Sequence, residues 1–284
     1  MATAVVRDAT VRSHYDSVER VITTMRSHID QPLSLHSMAK VACASPFHFN
    51  RTFRHVTGVP PSQFLYALRL DEARRLLIET EKKVIDICYD VGYNSVGTFT
   101  RRFTDLLGVS PSTFRDLARL PLMHAPEYPA PMIIANGHLK KGPAICGRVH
   151  APADFRGFIF VGLFSTPVPQ ARPVACAIAD ESGFYHLERV PEGEFYLFAL
   201  GMEQTAPASA YFQYDSALRA GGHSISVTRN SIYGATNLYL RPSSSFDPPI
   251  LLVLALLMEE YFERVEQIPS AVFVTPALLA HAQG

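Results

Sequence analysis

The 284-residue chain has little that would commit it to a membrane, a secretory route or a metal-held scaffold. Its longest apolar run, Ile250 to Met258, is nine residues, too short to cross a bilayer. The first fifteen residues contain no apolar core, so no signal peptide is expected. The four cysteines, Cys43, Cys88, Cys146 and Cys176, stand far apart, without the paired spacing of a zinc clip or the density of a disulfide framework. They read as free thiols in a reducing cytoplasm, Cys43 and Cys88 as small buried residues. His138, His150, His186 and His223 are scattered, no GxSxG or HExxH pattern occurs, and Asp180 with Glu181 falls in a turn. No catalytic residue, metal ligand or cofactor is expected. With 18% charged residues, a net charge of zero and no block of one sign, the composition also argues against a disordered tail or a basic arm.

What is present is enough apolar material, 48% of residues, for two separate cores. Neutrality hides an asymmetry. Residues 1 to 120 carry 16 Lys and Arg against 12 Asp and Glu, and residues 121 to 284 carry 10 against 14. The amino half is therefore the candidate for an anionic partner.

That half also contains an internal repeat. SPFHFNRTF at 45 to 53, followed by GVPPSQF at 58 to 64, recurs as SVGTFTRRF at 95 to 103, followed by GVSPSTF at 108 to 114. The offset is fifty throughout: Ser45 and Ser95, Phe49 and Phe99, Arg51 and Arg101, Phe53 and Phe103, Gly58 and Gly108, Phe64 and Phe114. In each copy a short helix (35 to 42, then 84 to 91) ends in a tight turn, a small polar residue opens a second helix, and a glycine closes it, the plan of a helix-turn-helix. In the second copy Gly92 supplies a permissive turn backbone, and Asn94 or Ser95 can cap the next helix. In the first copy Cys43 stands where Gly92 would, so that turn either avoids positive φ or stores strain.

Residues 61 to 80 place Phe64, Leu65, Leu68, Leu76 and Leu77 on one stripe and read as a long connecting helix. Val18, Val21, Ile22, Met25 and Ile29 mark a packing helix ahead of the repeat. Prolines at 126, 129 and 131 interrupt the helical texture and mark a linker over 119–143. From Ile145 short apolar runs alternate with turns such as DESG at 180 to 183 and PEG at 191 to 193, the pattern of a small antiparallel β-sandwich. The aromatics there, Phe158 and Phe160 among them, suit a sandwich core. After Asp247, a helix-cap candidate, and Pro248-Pro249, two readings stay open. One is a helix with Leu251, Leu254, Met258, Tyr261 and Val265 at heptad-like spacing; the other is a buried strand over 250 to 256. The fold class expected is multidomain, α then β: a double helix-turn-helix over 16–118, the linker, a sandwich over 144–267 and a tail over 268–284.

VIDICYDVGYNSVGTFTRRFTDLLGVSPSTFR at 84 to 115, with SMAKVACASPFHFNRTFRHVTGVPPSQF at 37 to 64 as the weaker first copy, resembles the AraC/XylS-type transcription regulators. Their DNA-binding domain joins two helix-turn-helix units by a long helix. The resemblance implies recognition helices at 45–56 and 95–106, each fitting a major groove, where base edges are distinguishable. Base reading would fall to Phe47, Asn50, Arg51, Val96, Gly97, Thr100 and Arg101, and phosphate contact to Ser45, His48, Arg54, Ser95 and Arg102. Arg51 and Arg101 can grip a guanine in two places, Asn50 suits adenine, and Gly97 lets backbone come close. Phe49, Phe53, Phe99 and Phe103 face the core. DNA-repair alkyltransferases carrying this type of domain need a PCHRV-like motif and a four-cysteine zinc site, and the sequence has neither.

The stretch 144 to 205 resembles transthyretin-like domains, which implies a fold rather than a function. In the regulator family the sensing or dimerising domain usually comes first; here the order is inverted. The expected partners are double-stranded DNA and, beyond it, RNA polymerase, an unidentified small-molecule effector or a second copy of the chain. The expected place is the bacterial cytoplasm, at the nucleoid when bound. The rival class is a β-sandwich binding module with the helical half as an interaction platform.

Overall fold

A computed structural model describes residues 2–119, 134–135, 143–206, 208–228, 232–233, 236–257 and 272–273. The α then β order holds. Seven helices come first: α1 (Ala2–Ser27), α2 (Leu35–Val41), α3 (Pro46–Thr57), α4 (Pro61–Glu79), α5 (Val84–Asp90), α6 (Val96–Leu107) and α7 (Pro111–Arg119). The strands follow: β1 (Ile134–Ala135), β2 (Ala144–His150), β3 (Gly157–Phe164), β4 (Ala175–Ile178), β5 (Phe184–Leu187), β6 (Gly193–Glu203), β7 (Leu218–Val227), β8 (Ile232–Tyr233), β9 (Leu238–Tyr239) and β10 (Val272–Phe273).

The sequence repeat becomes a structural one because the same side chains stop, start and anchor each copy. Ser45 and Ser95 accept from the backbone N–H three residues on, at 3.4 Å in both cases, and so cap α3 and α6. Gly58 and Gly108 end those helices in the left-handed conformation, with φ of 79° and 88°. Phe49, Phe53 and Phe64 form an edge-to-face ladder at 5.5 Å per step, and Phe99, Phe103 and Phe114 repeat its spacing at 5.8 and 5.7 Å, the first of these steps tilted and the second edge to face. All six rings are essentially fully buried. Val18, Val21, Ile22 and Met25 of α1 are likewise buried, as their spacing predicts. Ser95, rather than Asn94, is the cap of α6.

The first copy's turn does adopt positive φ. Cys43 sits at 53°, matching Gly92 at 79°, and its side chain is exposed rather than buried. Cys88 is buried as expected, and burial pushes its thiol up.

Residues 244–252 form one compact unit with the helices. Tyr15 of α1 meets Phe246 edge to face at 5.3 Å, and the buried Arg74 of α4 donates from Nη1 to the Ile250 carbonyl at 2.9 Å. Arg74 is also paired with Asp71. The expected helix from Asp247 is thereby displaced. Asp247 accepts from Ser244 N–H at 2.8 Å, closing a turn instead of capping a helix, and residues 250–253 are non-helical. Helix begins only at 254–257. The physical reason is local: the Ile250 carbonyl and the Leu254 N–H, which would bond to each other in a helix, are taken by Arg74 and by the Tyr214 hydroxyl at 2.9 Å. Leu251 and Leu254 are fully buried. Met258, Tyr261 and Val265 lie outside the described residues.

In the β region one sheet has the order β4-β3-β6-β7, antiparallel throughout, and a second is built on β2. There β5 pairs antiparallel, while β8 and β9 pair parallel, a mixed arrangement where an antiparallel one is expected. β1 and β10 form a separate antiparallel pair. Ile145 and Val149 of β2, Tyr185 and Leu187 of β5 and Leu238 of β9 share one buried cluster with Val161 and Leu163 of β3, Leu197 of β6 and Val227 of β7. That is the core of a sandwich. The other face of β3 is covered as well: Phe158 stacks on Tyr211 at 6.0 Å, and Phe164 meets Phe198 at 5.8 Å. Hence β3 reads as a continuous apolar run. Asp180 accepts from the N–H groups of Ser182 and Phe184 at 2.8 and 2.9 Å, so its carboxylate closes a turn. Among the described residues no helix is long and apolar enough to cross a membrane, and no group of three or more His, Cys, Asp or Glu could hold a metal ion.

Candidate nucleic-acid interface

Burying Phe49 and Phe53 on one side of α3 turns the opposite side outward by helical periodicity alone. Phe47 is 80% exposed on that side. His48, Arg51 and Arg54 are exposed beside it. Asn50 is half-buried and lines a cleft of about 210 Å³ together with Ser62, Leu65 and Tyr66 of α4 and Arg102 of α6. It therefore stands apart from the outward face that its sequence position suggests. The rings of His48 and His14 of α1 approach to 5.7 Å.

On α6 Gly97, Arg101 and Arg102 are exposed, and Val96 and Thr100 are half-buried. Arg101 lies 3.8 Å from Asp105, one turn on; both side chains are open to solvent, so the pair is weak and can be exchanged for another anion. A Cβ built at Gly97 would meet only Ser95 Oγ, at 3.8 Å. Nothing among the described residues requires glycine there. Arg102 lies over the Tyr66 ring, 5.1 Å from its centroid, a cation–π geometry. Ser45 and Ser95 are exposed and occupied as helix caps. The structure thus brings Phe47, Arg51 and Arg54 together on one helix and Gly97 and Arg101 on its repeat.

Several residues that hold these helices in place escaped the sequence reading. Arg69 of α4 donates from Nε to the Ile29 carbonyl at 3.0 Å and from Nη2 to the Gln31 carbonyl at 2.6 Å, clamping the loop after α1. Burial pushes its guanidinium below the ordinary value, with the charges of Tyr93 and Asp30 opposing. A Cβ at Gly92 would lie 2.6 Å from the Ile29 carbonyl oxygen and 2.7 Å from Arg69 Nη2, so Gly92 is needed for this approach as well as for its φ. Fifty residues on, Arg119 reaches Glu81 Oε1 at 2.6 Å, and Arg115 donates to the Leu77 and Lys82 carbonyls at 3.3 and 2.5 Å. The pairs Arg69 with Gln31 and Arg119 with Glu81 obey the same offset as the phenylalanines. That offset was the signal that could have found them.

A family profile described as a helix-turn-helix domain matches residues 38–116. The chain is 35% identical over 103 residues to the regulatory protein SoxS of Salmonella typhimurium, covering 36% of this chain and 96% of that protein. The chain belongs to the AraC/XylS family of transcription regulators. It is also similar to the right origin-binding protein of Escherichia coli K12, at 28% identity over 195 residues, 68% of this chain and 60% of that protein. An alignment of that length runs beyond the seven helices into the β region. The chain spans less than two thirds of the longer curated relatives that it matches. Among solved structures, the DNA-binding domain of AdpA, described as the global transcriptional factor in complex with a target DNA, is similar at 29% identity. That match covers 37% of this chain and 97% of the other, with a TM-score of 0.36.

Proposed function

We propose that this family member is a sequence-specific transcription regulator that holds double-stranded DNA through α3 and α6, each in a major groove. The observation that carries the reading is the repeat of capped helix, phenylalanine ladder and glycine stop, which presents two matching outward faces on one linker helix. Successive major grooves on one side of a duplex lie about 34 Å apart, so two helices fixed near that spacing read two segments, and a misfit is relieved by bending the DNA. Arg51 and Arg101 are the guanine readers. Phe47 meets a thymine methyl, and Val96, Gly97 and Thr100 give close, mostly apolar approach. His48 and Arg54, with the two cap serines, meet phosphate, whereas Arg102 is held over the Tyr66 ring. Asn50, half-buried in its cleft, reads adenine only if DNA displaces it from there.

The role proposed is binding, with no chemical step, in the bacterial cytoplasm and at the nucleoid when bound. The β region is the place for regulation, by a small-molecule effector or by association with a second copy or with RNA polymerase. The test is selection of random DNA by the full-length protein. Recovery of one bipartite sequence supports the reading; no enrichment favours the helical half as a protein-interaction platform.

A further inference from the structure

We infer that Arg102 and Tyr66 are a spacing gauge: their stack fixes the second recognition helix against the linker helix and thereby sets which separation of the two groove segments the protein accepts. The inference rests on the DNA-binding reading above. It concerns discrimination between spacings, which that reading leaves open.

The linker helix α4 belongs to both copies. Its first turn carries Phe64, the last ring of the first copy's ladder, and Tyr66 follows two residues later. α6 makes its larger packing contacts with α5 and α7, elements of its own copy. Arg102, reaching from α6 to lie 5.1 Å above the Tyr66 ring, ties the second recognition helix to the helix that anchors the first. The two copies meet at this place by a second route: Arg69, about one turn further along the same helix, lies against Gly92 of the second copy while it holds Ile29 and Gln31 ahead of the first. Tyr93, beside Gly92, buries its hydroxyl next to Arg102, and burial pushes that hydroxyl up, against the charge and hydrogen bonding of Arg102 and the charge of Arg69. Asn50 of α3 and Arg102 of α6 line one cleft, so the edges of both recognition helices converge on the stack. A side chain at this convergence is a short brace on a long lever. Removing it changes little at the hinge and more at the far face of α6, where bases would be read.

A phosphate-holding arginine would be exposed too, so the test separates the two roles. Full-length wild type, Tyr66→Ala, Tyr66→Phe and Arg102→Ala would be compared on the selected site and on sites lengthened or shortened by one base pair between the half-elements, with thermal melting to confirm that each is folded. We expect Tyr66→Ala and Arg102→Ala each to lower the preference for the native spacing by about 2- to 5-fold, the range of an exposed cation–π contact. Tyr66→Phe, which keeps the ring, retains the preference, and the salt dependence of binding is unchanged in Tyr66→Ala. The inference is overturned if Tyr66→Ala leaves the spacing preference intact. It is equally overturned if Arg102→Ala weakens every spacing alike and lowers the salt slope by about one, as loss of a phosphate contact does. A wild-type chain that selects no sequence sinks the regulator reading itself, a result distinct from a selected site whose spacing preference ignores both residues.

Discussion

Cys43 and Gly92 occupy equivalent left-handed turn positions forty-nine residues apart, with φ of 53° and 79°. Only one of them suits it. An L-residue in this region costs about 1–2 kcal/mol, part of which glycine gives back through its greater freedom in the unfolded chain. Cys43→Gly should therefore raise stability by about 0.5–1 kcal/mol in urea unfolding. A loss of stability would mean that the Cys43 side chain supports the turn. Gly92→Ala should cost more than 2 kcal/mol, about the scale of overpacking in a closed site, because its Cβ would press on the Ile29 carbonyl and on Arg69.

The brace between Arg74 and Ile250 predicts that the helical region depends on a segment 176 residues away in sequence. Arg74→Ala strands the Ile250 carbonyl and removes the partner of Asp71. We expect a loss of about 2–4 kcal/mol in global stability, the range for breaking a buried charged hydrogen bond. Amide exchange should become faster at 244–252. Unchanged exchange there would show that the segment is held by its apolar contacts alone.

Gly97 gives a prediction in which stability and binding part company. An alanine meets no obstacle within the protein and is the better helix former, so Gly97→Ala should gain about 0.5–1 kcal/mol in unfolding. If Gly97 is there to let DNA approach the backbone, the same variant should bind its site at least several-fold more weakly. Equal or tighter binding would assign Gly97 no part in recognition.

How much of this was legible in the sequence follows from which forces were local. The two helix-turn-helix copies were readable because caps, stops and apolar spacing are set by side chains near in sequence, and because each feature occurs twice. Arg115 was not legible as a clamp, since its acceptors are backbone carbonyls 33 and 38 residues away that no side-chain pattern marks, and Arg69 was legible only through the offset of fifty that relates it to Arg119. The segment after Pro249 shows the same limit from the other direction. Its apolar run suits a helix or a strand, and the outcome was decided by Arg74 and Tyr214 taking the backbone groups that a helix would have paired. Asn50 is half-buried where residue type suggests an open adenine reader, because exposure depends on where α4 and α6 lie. The exposure of Cys43 follows from a turn whose strain the sequence allowed but did not decide.

The central claim is that two repeated helices each read bases in their own groove segment. The most direct measurement is the base preference of full-length Arg51→Ala and Arg101→Ala across every single-base variant of the selected site. The account predicts that each variant loses about 1–3 kcal/mol on the native site and relaxes its preference at one base pair, and that the two relaxed positions lie about one helical turn apart. Uniform weakening on all sequences in both variants, with no position relaxed, would contradict it and leave these arginines as phosphate contacts.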